Sequence, residues 1–568
     1  MITLAVGLGT CGIAAGAQEV YDELLRQPDP RYILRKTSCN GHCYNEPIVE
    51  VFQNEELIGA FYQVKASSVK SLLETLPSVW GQPSSRQGQE QRLVLENCGL
   101  IDPENMNDYI SRGGYVALET VRSLLPMEVV SMIKASGLRG RGGAGFPTGL
   151  KWQFALNNPS QPKVVIANAD EGDPGAFMDR AVLEGDPHRV IEGLLIAAHA
   201  TGANSAYIYI RAEYPLAIKR LRHAIADVTA EGKLGTVLLE IKEGAGAFVC
   251  GEETALMASM EGERGMPRFK PPFPAESGLW GQPTTINNVE TLAAIPWIIR
   301  HGAEAFSKWG TEKSRGTKVF SLAGKVKYPG LVEVEMGTSL RSMIEQLGGG
   351  TSSGLPIKAV QMGGPSGGCV PESLLDTALT YEDLQATGAI MGSGGVIVMD
   401  EATCMIDIAK YFLNFIQNES CGKCTFCRIG TKRMFEILSR IAEGKGELAD
   451  IDELIDLSSQ ISKASLCQLG KTAANPVLTT LQYFKDEYLE HIVEKKCRAH
   501  VCRSLIRYHI NSDVCTGCTL CAKRCPVSCI KGVTKGPHRI DASHCTKCGT
   551  CLSVCRFGAV TVSTGVHS

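Results

Sequence analysis

The spacing of apolar and polar residues changes character several times along the chain. Residues 1–80 combine short apolar strands with one amphipathic helical pattern, over residues 14–26. Residues 93–316 alternate helical and strand patterns, as where a helix over 188–201 is followed by a strand over 205–210. These alternating patterns predict two α/β domains, a small one followed by a larger one.

The second half of the chain is patterned differently. Residues 317–400 are rich in β-branched residues and glycine, which predicts a compact and mainly β module. Residues 401–495 return to helical periodicity, and residues 496–568 form a short segment with an internal repeat. The polar stretch 81–92, which carries Pro, Gly and Ser, is interpreted as a linker between the first two domains.

Length and composition restrict the classes of function. A chain of 568 residues is too long for one hydrophobic core, and 44% hydrophobic with 21% charged residues is ordinary for globular domains. The net charge of -3 provides no overall field that would gather nucleic acid. No apolar run approaches the length of a membrane span, and the N terminus has no signal-peptide pattern. We therefore expect a soluble, cytoplasmic protein.

The 22 cysteines point to metal chemistry, because thiols in a reducing cytosol are seldom paired in disulfides. They are unevenly distributed: residues 1–420 contain seven of them and residues 421–568 contain fifteen. Many of the fifteen are separated by two residues, a spacing typical of iron–sulfur ligands.

The C-terminal repeat contains two runs of four cysteines in the pattern of bacterial ferredoxins that hold two clusters. In that pattern the fourth cysteine of each run binds the cluster of the other run. Structural zinc is the alternative, but zinc needs neither a third cysteine at this spacing nor an exchanged fourth ligand. The predicted [4Fe-4S] ligands are Cys515, Cys518, Cys521 and Cys555 for one cluster, and Cys545, Cys548, Cys551 and Cys525 for the other.

Two further cysteine groups precede and flank this repeat. Cys421, Cys424 and Cys427, with Cys467 downstream, have the spacing of a third [4Fe-4S] cluster. The remaining cysteines near the repeat leave two interpretations open, a separate zinc site or free buried thiols. The zinc interpretation uses Cys497, Cys502, Cys529 and His538.

Two glycine-rich loops carry the remaining chemistry. The first, GLRGRGGAGFPTGLKW, contains a G-x-G-x-x-G pattern preceded by a predicted helix and not by a strand, so it is not an ordinary dinucleotide fingerprint. Its exposed backbone N–H groups, with Lys151 nearby, can hold a phosphate. The second loop, GAGAFVCGEETAL, ends in Glu252 and Glu253, and NADEGDPGAF lies between the two. Phosphate-binding N–H groups combined with amides and carboxylates suit a flavin mononucleotide bound beside a nicotinamide nucleotide.

Together with PTTINNVET and SCGKCTFC, these segments resemble the FMN- and NADH-binding subunit of respiratory complex I and its soluble relatives over about residues 95–485. Those relatives are the NAD-linked subunits of multimeric hydrogenases, formate dehydrogenases, transhydrogenases and electron-bifurcating enzymes. The appended C-terminal ferredoxin repeat favours the soluble group. The resemblance implies a multidomain α/β protein whose parts are bounded as follows: a thioredoxin-like domain (1–80), a linker (81–92), a Rossmann-like FMN and NADH domain (93–316), a ubiquitin-like β-grasp module of the SLBB kind (317–400), a helical-bundle [4Fe-4S] domain (401–495) and a ferredoxin domain with two [4Fe-4S] clusters (496–568).

Site residues transfer from the family only where the motifs match. FMN contacts are then expected from Gly140, Arg141, Gly142, Lys151, Asn168, Asp170, Glu171, Gly251, Glu252, Asn287, Asn288 and Thr291. NADH contacts are expected from Phe146, Phe154, Asp173, Phe248, Glu253, Lys270 and Phe273. Asp173 stands where the family usually has glutamate. Lys270 and Arg268 are the only basic residues that the sequence offers for a 2′-phosphate, which favours NADH over NADPH.

The resemblance also implies an activity and partners. NADH would give a hydride to the flavin, and single electrons would pass to the Cys421, Cys424, Cys427 and Cys467 cluster, with no protein acid or base in the chemistry. The β module is given no catalytic role. Expected partners are a small thioredoxin-like [2Fe-2S] subunit, a catalytic iron–sulfur subunit and ferredoxin, with electron bifurcation as one mode of action. The alternative is an electron-transfer or scaffold subunit that no longer binds NADH.

The N-terminal domain departs from its family in one respect. Related domains hold a [2Fe-2S] cluster through two cysteine pairs, whereas here Cys39 and Cys43 form one pair and Cys11 has no mate. We therefore expect this domain to lack its cluster and to serve in docking.

Overall fold

The computed structural model describes residues 2–75 and 90–565. The chain divides into two compact units, residues 1–399 and residues 400–568. Residues 76–80, and residues 81–89 of the predicted linker, lie outside the described residues. Within the part of the chain that is described, no helix has the length and apolar character needed to cross a membrane.

A four-stranded sheet forms the N-terminal part of the first unit. Its strands are β1 (Ile2–Gly7), β2 (Tyr32–Thr37), β3 (Val49–Gln53) and β4 (Glu56–Phe61), in the order β2-β1-β3-β4. The strand β1 pairs parallel with β2 and antiparallel with β3. The helices of this part are α1 (Thr10–Ala15), α2 (Ala17–Arg26) and α3 (Val69–Thr75).

The prediction of a single helix over residues 14–26 was wrong in one detail, because the structure has the end of α1 and the whole of α2 there. Gly16 separates α1 from α2 with φ of 104°, a left-handed conformation that ends the first helix. Glycine has no Cβ and adopts this conformation at little cost.

A four-stranded parallel sheet lies at the centre of the larger domain. Its strands are β5 (Val164–Ala169), β6 (Ser205–Arg211), β7 (Leu238–Gly244) and β8 (Thr284–Asn288), in the order β7-β6-β5-β8. The helices of this domain are α4 (Met106–Ser111), α5 (Val116–Arg122), α6 (Pro126–Ser136), α7 (Thr148–Asn157), α8 (Met178–Gly185), α9 (Pro187–Thr201), α10 (Pro215–Ala230), α11 (Glu253–Met260), α12 (Val289–His301) and α13 (Ala303–Ser307). The start of the buried helix α9 is fixed at Pro187, because Asp186 caps the helix and proline is favoured at the first helical position.

A five-stranded mixed sheet follows and has its own apolar core. Its strands are β9 (Thr317–Gly324), β10 (Gly330–Glu335), β11 (Ile357–Met362), β12 (Gly368–Pro371) and β13 (Gly395–Asp400), in the order β10-β9-β13-β11-β12. Its short helices are α14 (Leu340–Ser342) and α15 (Tyr381–Ala386), with one π-helix at Met343–Leu347. This agrees with the mainly β module expected from the sequence.

The second unit begins with helices that surround an apolar core. They are α16 (Met405–Glu419), α17 (Thr431–Ala442), α18 (Ala449–Ala464), α19 (Gln468–Thr472), α20 (Asn475–Tyr483) and α21 (Lys485–Leu489), with π-helices at Phe426–Gly430 and Glu490–Glu494. The C-terminal segment has two small antiparallel sheets, of β14 (Ile506–Ile510) with β17 (Val560–Thr564) and of β15 (Ile530–Lys531) with β16 (Arg539–Ile540), and two short helices, α22 (Leu520–Arg524) and α23 (Thr550–Val554).

Candidate functional site

The residues expected to hold FMN meet at the carboxyl edge of the parallel sheet. Asn168 lies near the end of β5, Asn288 ends β8, and the loop after β7 leads to Gly251. The Asn168 side-chain amide donates to the Gly251 carbonyl at 2.9 Å, which joins two of these loops. The carboxyl edge of an open parallel sheet is where α/β proteins bind nucleotides.

The first glycine loop is tied to the start of α12. The Arg141 N–H donates to Thr291 Oγ1 at 2.8 Å. A Cβ on Gly142 would lie 3.0 Å from the Cβ of Asn288, so glycine permits the close approach of loop and helix. The guanidinium of Arg141 is buried and donates to the carbonyls of Thr317, Arg139 and Arg315. Both the side chain and the backbone N–H of Arg141 are therefore bonded within the protein, which fixes the position of this loop.

Two residues of the β module form hydrogen bonds with the backbone of this loop. The hydroxyl of Tyr381 donates to the Gly140 carbonyl at 2.8 Å. The fully buried ammonium of Lys318 donates to the Arg141 carbonyl at 3.0 Å and to Glu290 Oε2 at 2.9 Å. Sequence reasoning missed these residues, although a lysine in the otherwise apolar pattern of β9 was a signal for a buried ion pair.

Glu171 and Asp179, two carboxylates near the loop, accept hydrogen bonds that stabilise the local structure. Glu171 accepts hydrogen bonds from the backbone N–H groups of Asp179 and Arg180 at 3.0 and 3.1 Å, which caps the start of α8. Asp179 in turn accepts from the Asn288 amide at 2.6 Å. Burial raises the pKa of both carboxyl groups, and most strongly that of Asp179. These contacts shape the segment after β5.

The charged residues expected at the nucleotide site form one network. Lys270 Nζ donates to Glu253 Oε1 at 2.5 Å and to Glu252 Oε1 at 3.1 Å. Lys151 Nζ lies 3.7 Å from Glu253 Oε2 and donates to the Ile286 carbonyl at 3.0 Å. Burial opposes ionisation of Glu253, but the two lysines outweigh it and lower the pKa of this carboxyl.

The aromatic residues expected to stack on the nicotinamide nucleotide are not core residues. Phe146, Phe154 and Phe273 are 44%, 52% and 53% exposed, and Phe248 is half-buried. These rings are therefore accessible to a ligand, as the stacking prediction requires. Asp173 accepts a hydrogen bond from Ser393 Oγ at 2.5 Å, and burial raises its pKa to about 6.

Two glycines of these loops, Gly140 and Gly251, leave space beside the backbone. Gly140 and Gly251 do not have positive φ. A Cβ on either would meet protein atoms only at ordinary contact distances, 3.6 Å from the Phe146 carbonyl and 3.5 Å from the Asp170 carbonyl. The fold itself therefore does not require glycine at these positions. Glycine at these positions leaves the backbone open to close approach by a ligand, and glycine-rich loops commonly bind phosphate through their N–H groups.

The first cysteine group of the second unit is assembled as expected. The Leu466 N–H lies 3.4 Å from Cys424 Sγ, and Ser420 Oγ lies 3.3 Å from Cys427 Sγ. Burial raises the pKa of Cys427, and the thiolates of Cys467, Cys421 and Cys424 add to this effect because they lie close to it. The structure thus brings all four predicted ligands together.

The structure brings the predicted exchanged ligand Cys525 beside the second run of the ferredoxin repeat. Cys525 and Cys529 both line the same cavity as Cys545, Cys548 and Cys551, although Cys525 lies twenty residues before the first of these. In the other set, Cys515 and Cys518 are close enough to Cys521 to add to the effect of burial, which raises its pKa. Cys555 packs in the same small core as Cys521.

The structure does not bring together the four residues expected at a zinc site, but it groups two of them with two other possible metal ligands. Cys502 lies with Cys404 and His491, at Sγ–Sγ and Nε2–Sγ distances of 3.7 and 3.4 Å. Cys497 completes the group, and all four ligand atoms lie within 4.8 Å of one another. The expected ligand Cys529 instead lies 3.5 Å from Cys525, and the His538 N–H lies 3.5 Å from Cys515 Sγ. Spacing alone missed Cys404 and His491, because they lie far from the cysteine runs in sequence.

Comparison with known proteins agrees with this geometry. Residues 133–297 match the Nuo51 FMN-binding domain, and residues 407–491 match the iron–sulfur binding region of NADH-ubiquinone oxidoreductase F. Residues 319–370 match the SLBB domain and residues 538–561 a 4Fe-4S binding domain. The NADP-reducing hydrogenase subunit HndC of Solidesulfovibrio fructosivorans is 55% identical, over 84% of this chain and 99% of that protein. The chain belongs to the family of HndC and the F subunits of NADH-quinone oxidoreductases.

Other members of this family extend the comparison. One F subunit of the NADH-quinone oxidoreductases of Rhizobium meliloti is 44% identical over 72% of this chain and 99% of its own length. Among solved structures, the NAD+-reducing [NiFe]-hydrogenase in the H2-reduced state is 30% identical with a TM-score of 0.65, over 86% of this chain and 84% of that chain. Membership confirms the predicted oxidoreductase with FMN-binding and [4Fe-4S]-binding regions.

Proposed function

We propose that the chain is the NAD(H)-linked diaphorase subunit of a soluble, cytoplasmic oxidoreductase of several subunits. The observation that best supports this proposal is that the first glycine loop lies against Asn288 at the end of β8, while Asn168 near the end of β5 is bonded to the loop that follows β7. That arrangement supports a Rossmann-like FMN and NADH domain between a thioredoxin-like domain and a β-grasp module. The helical-bundle [4Fe-4S] domain and the ferredoxin domain would then carry electrons onward.

Different residues would bind FMN and the nicotinamide nucleotide. The backbone of the Gly140 loop and Lys151 would hold the phosphate of FMN, and the amides of Asn168 and Asn288 position the surrounding loops. The exposed phenylalanines would stack against the nicotinamide nucleotide. FMN, when bound, supplies the exchange between hydride transfer and single-electron transfer.

The ion pairs at the site favour NADH over NADPH. Arg268 and Lys270 are the basic residues that the sequence offers for a 2′-phosphate. Arg268 pairs with Glu261, and Lys270 pairs with Glu252 and Glu253. A 2′-phosphate would have to compete with carboxylates already bound to both cations. The relative HndC is named as NADP-reducing, so the test below includes both nucleotides.

Three [4Fe-4S] clusters and one zinc ion are the proposed metal content. The distances in the Cys404, His491, Cys497 and Cys502 group suit tetrahedral zinc, in which ligand sulfurs lie about 3.8 Å apart and sulfur and nitrogen about 3.6 Å apart. The ligands of a [4Fe-4S] cluster bind different irons and are spaced more widely. All four zinc ligands are buried, as in a structural site.

Electrons would leave toward other subunits. Residues from Cys497 onward carry ten Lys or Arg against two Asp or Glu, which favours an acidic electron-transfer partner such as ferredoxin. A small [2Fe-2S] subunit and a catalytic iron–sulfur subunit remain the proposed neighbours, and bifurcation remains one mode of action. A scaffold that has lost nucleotide binding is disfavoured because the aromatic and ionic residues of the site are all present.

An anaerobic titration of the purified chain tests the proposal. NADH is added in steps, with NADPH in parallel, while flavin absorbance and the EPR signals of reduced clusters are recorded. We expect NADH to bleach the flavin with iron near twelve per chain, as three [4Fe-4S] clusters require. Bound FMN that NADH cannot reduce would show that the chain is an electron conduit supplied from elsewhere.

Two glycine variants test the binding loop itself. Gly140→Ala and Gly251→Ala introduce a Cβ that the fold accommodates, so the apoprotein should unfold at the wild-type temperature. We expect both variants to lose most of their FMN, because the methyl group occupies the space that the ligand needs. Full FMN content in both would contradict the assignment of these loops.

A further inference from the structure

A buried serine hydroxyl lies next to the first cysteine group of the second unit. Ser465 is 5% exposed and precedes Cys467, one of the four proposed ligands, by two residues. Its Oγ is buried and has no hydrogen-bond partner among the described residues. A buried polar atom without a partner is costly and uncommon in folded proteins, so this hydroxyl calls for an explanation.

The hydroxyl does not serve the helix that ends beside it. The helix α18 ends at Ala464, and the Ser465 N–H donates to the Ile461 carbonyl at 3.1 Å. Ser458 lies in the same helix and is also buried, but its hydroxyl donates to the Leu454 carbonyl at 2.6 Å, as is common for a serine inside a helix. The side chain of Ser465 therefore has its role outside α18.

Ser465 lies beside the ligand cysteines. A Cβ added to Gly470 would lie 2.4 Å from Ser465 Oγ and 3.3 Å from the Cβ of Cys427, so the hydroxyl and this cysteine are neighbours across the glycine. Gly470 does not have positive φ, so this close contact and not the backbone conformation accounts for the glycine. The next residue, Leu466, directs its N–H toward Cys424 Sγ at 3.4 Å. This segment thus offers two donors to the cysteine group, one hydroxyl and one N–H.

A second serine contacts Cys427 directly. Ser420 Oγ lies 3.3 Å from Cys427 Sγ and accepts a hydrogen bond from the Gly422 N–H at 3.3 Å. A cysteine that binds a metal does so as a thiolate, which has no proton to donate. The Ser420 hydroxyl must therefore be the donor to this sulfur when iron is bound.

The two hydroxyls adjoin the most buried part of the cysteine group. Cys427 is buried, whereas Cys421, Cys424 and Cys467 are half-buried. Solvent can reach the three half-buried cysteines, but protein groups must supply the hydrogen bonds beside Cys427. Such bonds are stronger in a low-dielectric interior, and water cannot replace a donor that is lost there. Hydrogen bonds to cluster sulfur are among the factors that set its reduction potential.

We propose that the hydroxyls of Ser420 and Ser465 donate hydrogen bonds to the sulfur atoms of the [4Fe-4S] cluster and of its ligand Cys427, and thereby raise the reduction potential of this cluster. This inference rests on the proposed assignment of the cluster to the first cysteine group. On reduction one electron enters the cluster and no bond is formed or broken. A donor stabilises the more negative, reduced form more strongly, so electron transfer from the flavin to this cluster becomes more favourable.

The expected shift follows from the strength of such contacts. A hydrogen bond to a charged group favours one side of an equilibrium by roughly ten- to a hundredfold. Only the difference between the oxidised and the reduced cluster counts here, so the lower limit applies. At a fixed potential, Ser465→Ala and Ser420→Ala should each lower the ratio of reduced to oxidised cluster about tenfold, which corresponds to about 59 mV for one electron.

An anaerobic redox titration of the full-length protein measures this potential. The protein is reduced in steps with dithionite in the presence of mediators, EPR signals of the reduced clusters are recorded, and iron is counted. We expect Ser465→Ala and Ser420→Ala to lower the same midpoint potential and to leave the other midpoints unchanged. Ser458→Ala is the matched control, because it removes a buried hydroxyl of α18 that is bonded to a backbone carbonyl. It should leave every midpoint at the wild-type value.

An unchanged midpoint in either serine variant that retains about twelve irons per chain would overturn the inference. An equal shift in Ser458→Ala would also overturn it, because the shift would then reflect the packing of α18. If one serine variant loses its cluster, seen as a loss of about four irons, the midpoint of the other decides. Loss of the cluster from both would show that the hydroxyls are needed for assembly and would overturn the proposed effect on potential.

The titration separates this inference from the proposed function. Dithionite reduces the clusters without NADH, so a failure of nucleotide binding does not affect the result. A wild-type protein with about eight irons, and no third cluster signal, would refute the assignment of the cluster itself. A complete set of clusters whose midpoints do not respond to the two serines would refute only the inference drawn from their hydroxyls.

Discussion

Replacing Lys318 with methionine tests whether the β module fixes the first glycine loop, which we propose to bind FMN. In the wild-type protein the Lys318 ammonium is fully buried and donates to Glu290 Oε2, to the Arg141 carbonyl and to the Ser393 carbonyl, at 2.9, 3.0 and 2.6 Å. Methionine fills similar volume but leaves the Glu290 carboxylate buried without its cation. It also leaves two carbonyl groups without this donor.

The expected loss can be estimated from these contacts. Removing one partner of a buried ion pair costs about 3–5 kcal/mol, because the remaining charge is uncompensated. Glu290 keeps one favourable contact, since its Oε1 accepts from the Val319 N–H at 2.8 Å. We therefore expect a loss near the lower limit, about 3 kcal/mol, in the free energy of unfolding of the first unit. The loop at Arg141 should loosen and FMN should dissociate more readily.

The assay compares urea unfolding of the apoprotein, followed by tryptophan fluorescence, with FMN content after dialysis. Lys219→Met is the matched control, because Lys219 is 71% exposed and its pair with Glu104 should contribute less than about 1 kcal/mol. The double variant Lys318→Met with Glu290→Gln should regain part of the loss, since no buried charge is left. If Lys318→Met unfolds and retains FMN as Lys219→Met does, the reasoning about the β module is refuted.

Three further predictions concern the clusters, the zinc site and acid stability. Cys525→Ser should lose about four irons per chain while Cys529→Ser retains them, and the reverse result would assign the ligand to Cys529. Cys404→Ser should lose one zinc ion by elemental analysis with iron unchanged, and retained zinc would reject the corrected ligand set. Burial lowers the pKa of His188 from 6.5 to about 4, so the fold holds its imidazole neutral. The stability this provides is complete above pH 6.5 and is lost toward pH 4, by up to about 3 kcal/mol. The urea midpoint of His188→Gln should therefore fall less between about pH 6.5 and 5.5, and an unchanged slope would be the contrary result.

Local patterns in the sequence were sufficient for much of this protein. The helix expected over 188–201 is Pro187–Thr201 in the structure, because the apolar period and its capping residues are local properties. The spacing of the ferredoxin repeat likewise predicted that Cys525 lies beside the second run of cysteines, and it lines the same cavity as Cys545, Cys548 and Cys551.

Contacts between distant segments were not predictable in this way. Cys404 and His491 join Cys497 and Cys502 only when α16 packs near the end of the helical segment, and a single cysteine and a single histidine show no spacing to detect. The structural role of Lys318 likewise depends on its hydrogen bonds to Glu290 and Arg141, which lie in other parts of the first unit. Local periodicity reports which face of an element is buried but not which residue it meets.

The hydrogen bonds from the β module to the first glycine loop determine when that loop can be completed during protein synthesis. The Gly140 carbonyl receives its hydrogen bond from a tyrosine 241 residues later in the chain. At bacterial or eukaryotic elongation rates this separation corresponds to roughly ten to fifty seconds of translation. During that interval the parallel sheet can form on the ribosome, while the loop still lacks its hydrogen bond from the β module. A nascent chain that ends before residue 381 would therefore lack the hydrogen bond that fixes the Gly140 carbonyl, and the loop would reach its final conformation only after the β module is made.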